Sequence, residues 1–124
     1  MICFHDYVMQ SPGQAQGLLL EILAFVQHRF PDAVPRLYHG LPSFFYGRHD
    51  IINIGAHKDH FAFYVGYDLV RYLKETYPGF RYTKGTIGIF YHEPFPFPVL
   101  EDICNRIEMM YGDEKPLTDE TGTL

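Results

Sequence analysis

Tryptophan is absent from the 124 residues, and cysteine occurs only twice, at Cys3 and Cys104. Two thiols outside any C-x-x-C or zinc-type spacing are too few for a disulfide scaffold. A reducing, cytoplasmic setting is the expectation. Long apolar runs are missing as well. Leu18–Leu20 and Ile22–Val26 are split by Glu21, so no membrane-spanning helix is expected. Positive charge is scarce: Lys plus Arg is 10 against 15 for Asp plus Glu, a net −5 at pH 7. That balance disfavours broad nucleic-acid binding, which draws most of its affinity from phosphate neutralisation. Catalytic signatures are lacking too. Ser11 and Ser43 are the only serines, and neither lies in G-x-S-x-G. No phosphate-binding glycine motif and no H-E-x-x-H occurs. Glu101 and Asp102 are adjacent and diverge on a helix. With no activated nucleophile or acid–base pair, a non-catalytic protein is expected. The segment Met1–Asp6 lacks a basic n-region and a long apolar stretch, so no signal peptide is expected.

What is present suits a packed domain. Hydrophobic residues make up 47% and aromatics 17%, with 20% charged, which excludes a disordered chain. At this length folding hides roughly two thirds of the chain's surface, enough for one core. Leu18, Leu19, Ile22, Leu23, Val26 and Phe30 recur at three- and four-residue steps, predicting a helix from about Gly13 to Phe30. Ser11 is a candidate cap with Pro12 at the first helical position, and Pro31 a stop. Pro35 to Gly40 reads as a connector. Ser43–Tyr46 and Ile51–Ala56 flank a glycine-containing turn and predict a hairpin. His60–Val65 predicts a third strand, with Phe61, Phe63 and Val65 on one face and His60, Ala62 and Tyr64 on the other. Tyr67–Tyr77 predicts a helix, Thr86–Tyr91 a strand, and Val99–Tyr111 a last helix ending at Gly112.

The order is therefore α-β-β-β-α-β-α. Short, locally connected strands favour an antiparallel sheet of about four strands with helices packed on it, an α+β class. One domain over residues 1–112 is expected, followed by a flexible acidic tail over 113–124. Seven of the 15 acids fall in the last 24 residues.

Two groupings carry chemistry. His57 and His60 form H-x-x-H around Asp59, a candidate metal set if the turn folds them together, though an extended strand sends i and i+3 apart. Lys58 and His60, at i and i+2, share a face with Tyr64 if the third strand begins at Lys58. A lysine beside a histidine disfavours cations and builds a positive spot. Thr83-Lys84-Gly85-Thr86 adds a second cation, two hydroxyls and a turn whose backbone N–H groups can cradle an anion. This pairing points to a small anionic or carbonyl-bearing ligand in an aromatic cleft. The ten aromatics at 44–46, 61, 63, 64, 90, 91, 95 and 97 exceed one face of a small sheet. The surplus would line that cleft or a homodimer surface.

Four segments, in order, resemble the YdhG-like family of small bacterial proteins. Tyr38-His39-Gly40-Leu41-Pro42-Ser43-Phe44 is similar to its Y-G-x-P-[ST]-F signature, with His39 as an extra residue. Ile51–Tyr64 is similar to its strand, K-x-H, aromatic strand; Thr83–Ile87 to its S-K-G-T-I segment; and Glu93-Pro94-Phe95-Pro96 to the acidic-x-x-Pro step before its last helix. The likeness covers roughly Leu18 to Glu108. It implies a small α+β domain, mostly without assigned activity. It places the family's binding positions on Pro42, Phe44, Lys58 and His60. One branch is described as frataxin-like, which implies intracellular iron as a cargo, with His57, Asp59 and His60 or the acidic last helix as its ligands.

Overall fold

Leu19, Ile22, Leu23 and Val26 are buried along one side of helix α2 (Gly13–Arg29), as their spacing requires. The computed structural model describes residues 2–114. Its further elements are α1 (His5–Gln10), β1 (Val34–Tyr38), β2 (Leu41–Tyr46), β3 (His49–Ala56), β4 (His60–Tyr64), α3 (Tyr67–Thr76), β5 (Arg81–Tyr82), β6 (Thr86–Phe90) and α4 (Phe97–Tyr111). The class is α+β, with six strands among the described residues rather than about four. All pairings are antiparallel, in the order β1-β2-β3-β4-β6-β5.

Each departure from the expected order has a local reason. Pro35–Gly40 is not a connector. Most of it is β1, an edge strand whose Val34, Leu37 and Tyr38 stay exposed, so no alternation marks it. Arg81–Tyr82 is too short to show a period. Helix α1 has six residues and one buried side chain, Val8. Ser11 does not cap α2, whose preceding residue is Pro12. Its hydroxyl instead donates to the Tyr7 carbonyl at 2.7 Å and closes α1.

Turn chemistry sets the registers. His39 (φ 52°) and Gly40 (φ 77°) both take the left-handed region, the requirement of a two-residue type I′ hairpin between β1 and β2. A shift between Phe44 and Phe45 leaves Ile51 as the extra residue of a bulge, and Ile51 and Ile52 are both buried.

The sheet has one covered face. Phe44, Tyr46, Ile52, Ile54, Phe61, Phe63, Ile87 and Ile89 join the helices' buried residues in one core. Each such side chain contributes about 1.5–3 kcal/mol on burial. Phe45 and Ala62 are buried too but lie outside that cluster, on the opposite face. There they are shielded by neighbours within the sheet: Arg36 lies over the Phe45 ring at 3.9 Å and Tyr38 meets it edge-on. Asp113 and Glu114, expected in the tail, form a 3-10 turn with Gly112, and Glu114 pairs with His49 at 3.3 Å. The rest of the expected tail lies outside the described residues.

Candidate functional site

Strand β4 begins at His60, not Lys58. His57, Lys58, Asp59 and His60 form a tight turn closed by the His57 N–H donating to the His60 carbonyl at 2.9 Å. Lys58 is an exposed turn residue, so the strand alternation that would align it with His60 does not apply. The two turns also do not meet. In the β4–β6 ladder His60 pairs with Phe90 and Tyr64 with Thr86, so the Lys58 turn and the Lys84 turn stand at opposite ends. Four residues of strand separate them, roughly 13 Å. Pro42 and Phe44 are buried in β2, and Phe44 meets Phe4 edge-on in the core. They lie on the helix-covered face, away from His60 and Tyr64. The seven expected ligand-binding residues therefore do not form one pocket.

His57, Asp59 and His60 are close but spend their donors on one another and on neighbours. His60 Nδ1 lies 2.7 Å from Asp59 Oδ1, His57 Nε2 lies 3.2 Å from the Tyr64 hydroxyl, and the two imidazoles are 5.0 Å apart. Among the described residues no three His, Cys, Asp or Glu side chains are placed to hold a metal ion. Gly55 lets His57 lie where it does: a β-carbon there would stand 2.8 Å from His57 Nε2. Burial pushes the His57 pKa down, His60 adds to this, and Asp59 opposes it. The hydrogen bond from His60 holds the Asp59 carboxyl below its usual range, with Arg81 helping by charge.

The chemistry that does converge is on the open face between β4, β6 and β5. A groove of about 220 Å³ is lined by His60, Ala62, Arg81, Tyr82, Thr83, Thr86 and Gly88. The register explains it. Ala62 pairs with Gly88, and Gly88 with Arg81, so the floor carries one methyl group and one bare Cα. Arg81 places its guanidinium carbon 5.2 Å over the Phe90 ring and forms no ion pair among the described residues. Thr83 and Thr86 hydroxyls lie 2.5 Å apart, and the Thr86 N–H donates to Thr83 Oγ1 at 3.1 Å. His60 and the Thr83 and Thr86 hydroxyls are what the sequence reading shares with this groove. Arg81 and Gly88 were missed as site residues, because only the β4–β6–β5 register brings them beside His60.

Ser43 and Cys104, two other groups with nucleophilic potential, are buried. The Ser43 hydroxyl is buried and donates to the Leu41 carbonyl at 2.9 Å. Burial pushes the Cys104 thiol up to about 12. Among the described residues no helix is long and apolar enough to cross a membrane.

No family model matches the sequence, and no curated protein matches it. A solved structure does. The crystal structure of YdhG from Bacillus subtilis, a DUF1801 family protein, superposes with a TM-score of 0.82 at 20% identity. The match covers 91% of this chain and 94% of that one. The chain is thus YdhG-like in fold, and the four segments that resemble that family in sequence are carried on the architecture of a solved DUF1801 protein.

Proposed function

We propose that this protein is a non-catalytic binding module that takes a small anionic or carbonyl-bearing ligand in the groove on the open sheet face. One observation carries the reading: a guanidinium with no ion pair among the described residues, an imidazole and two hydroxyls surround a floor of minimal side chains. Arg81 supplies a fixed charge in a planar fork of donors. His60 gives Nδ1 to Asp59, which leaves Nε2 for a ligand. The reading departs from the Lys58–Lys84 pairing and keeps the ligand class. A small ligand also suits the net charge of −5, which disfavours nucleic acid. Two free cysteines fit a cytoplasmic residence. Iron as a cargo draws no support from the donor set, because His57, Asp59 and His60, though close, are not placed as a three-ligand set for an ion among the described residues.

The test is a thermal-shift screen of the full chain against small anionic metabolites. A stabilising hit is expected, and Arg81→Gln should abolish its shift while leaving the unliganded melting temperature within a degree or two. A panel without any hit, or hits that Arg81→Gln leaves intact, would remove this reading.

A further inference from the structure

One row of the open sheet face is almost bare of side chains. Gly55 pairs with Ala62, Ala62 with Gly88 and Gly88 with Arg81, across β3, β4, β6 and β5. Residues directly opposite in an antiparallel pair share a face, so backbone and a single methyl group run over three adjacent strands. Arg81 stands at one end of this row. At the other is Leu41 of β2, whose Cδ2 comes within 3.4 Å of where a β-carbon on Gly55 would be. The row is thus cationic at one end and apolar at the other. The groove takes in Ala62, Gly88 and Arg81, and Gly55 is not part of its lining.

The His57 imidazole interrupts the row. A β-carbon on Gly55 would lie 2.8 Å from His57 Nε2 and 3.3 Å from its Cε1, so the ring rests directly on the glycine backbone. Nε2 also lies 3.2 Å from the Tyr64 hydroxyl, and the His60 imidazole is 5.0 Å away. Tyr64 and His60 flank Ala62 on the same face of β4, so the ring stands across the row at the Gly55–Ala62 step. Beneath it Gly55 is buried, although it lies on the open face. We infer, granting that the groove is the ligand site, that His57 is its end wall and sets the length of ligand it admits. A chain whose anionic head meets Arg81 runs over Gly88 and Ala62 and stops at the imidazole. With the ring removed, the same row leads on over Gly55 to Leu41.

Two measurements on isotope-labelled full-length protein test this. The first needs no ligand. Nuclear Overhauser contacts are expected between the His57 ring protons and the Gly55 α-protons. Their absence would take the ring off Gly55 and overturn the end wall, with the groove reading untouched. The second is a length series of unbranched carboxylates, butanoate to decanoate, kept below micelle-forming concentrations and followed by the amide shifts of Ala62 and Gly88. Affinity is expected to rise by up to about fourfold per added methylene and then level off. His57→Ala keeps the backbone N–H and carbonyl that hold the turn, so it should retain the dispersed spectrum of the parent. Its affinity should go on rising for about four more carbons, the length of one strand spacing of about 4.8 Å, and the Gly55 amide should begin to respond. Levelling at the same length in both proteins, or no levelling in the parent, would overturn the end wall and leave an anion site standing. No response to any acid in either protein would remove the groove as a site, and the end wall with it.

Discussion

The Tyr91 hydroxyl donates to the carbonyl oxygen of His57 at 2.5 Å, so the residue just after β6 fastens the turn that leads into β4. The Tyr7 hydroxyl accepts from the Ala56 N–H at 2.9 Å one residue earlier, tying the same turn to α1. Tyr91→Phe keeps the ring, which packs edge-on against Phe61 at 4.8 Å, and removes only the donor. Leaving a part-buried carbonyl unpaired costs about 1–3 kcal/mol. The urea midpoint should fall with an unchanged m-value. An unchanged midpoint would mean that water replaces the hydroxyl and that the turn does not depend on it.

The two thiols should separate by reactivity. Cys3 is exposed, whereas Cys104 is fully buried in α4, with its thiol pushed up to about 12 by burial. The thiolate is the reacting species. Iodoacetamide on the folded protein in mildly alkaline buffer is expected to add one label, at Cys3. Cys104 should react only in denaturant. Rapid double labelling of native protein would place Cys104 outside the core.

Stability should fall on acidification through His57. The unfolded chain takes up a proton near the ordinary value of 6.5, while the fold holds His57 lower by burial and by the neighbouring His60. The contribution of this group is therefore intact above 6.5 and lost as pH falls through the lower folded value. Asp59 acts with the same sign in a separate range, below the ordinary carboxylate value of 3.8. Denaturation midpoints at about pH 7.5 and about pH 5.5 test this. His57→Gln should show a smaller drop between the two than the parent. An equal drop would assign the slope to other groups.

Asp102 joins α3 to α4 through one oxygen. Tyr72 and Tyr77 hydroxyls both donate to its Oδ2, at 2.7 and 2.6 Å. Hydrogen bonds to a charged acceptor contribute about 1.5–3 kcal/mol each when buried, and less here because Asp102 is half-exposed. Asp102→Ala is expected to cost about 1–3 kcal/mol in total. Tyr72→Phe and Tyr77→Phe should combine non-additively, since they share an acceptor. Additive losses in a double-mutant cycle would show two independent bonds.

The same pair makes a prediction at high pH. The bond to Asp102, with burial and like charge adding to it, pushes the Tyr77 phenol up to about 12. Its raised folded value means that its contribution is full below the unfolded value of 10.0 and is lost as pH rises through about 12. An ultraviolet titration of native protein should show late-ionising tyrosines. In Asp102→Asn that late fraction should shrink. A curve identical to the parent's would separate Tyr77 from Asp102.

Local pattern alone determined the long elements. The stripe through Leu19, Ile22, Leu23 and Val26 marks α2, and the alternation of Phe61 and Phe63 against His60, Ala62 and Tyr64 marks β4, because both periods follow from backbone geometry and one apolar side. Strand β1 carries no such mark, since neither Val34 nor Leu37 is buried, and its pairing comes from the His39–Gly40 turn and from β2. The groove belongs to the tertiary structure. His60, Gly88 and Arg81 lie on three strands, and antiparallel register sets one beside the next. The same register carries the Lys58 and Lys84 turns to opposite ends of one ladder. Spacing along a chain reports which side a residue takes within its own strand. Which residues of other strands stand beside it is decided only when those strands pair, and that is why the arginine of the site was invisible until the sheet was assembled.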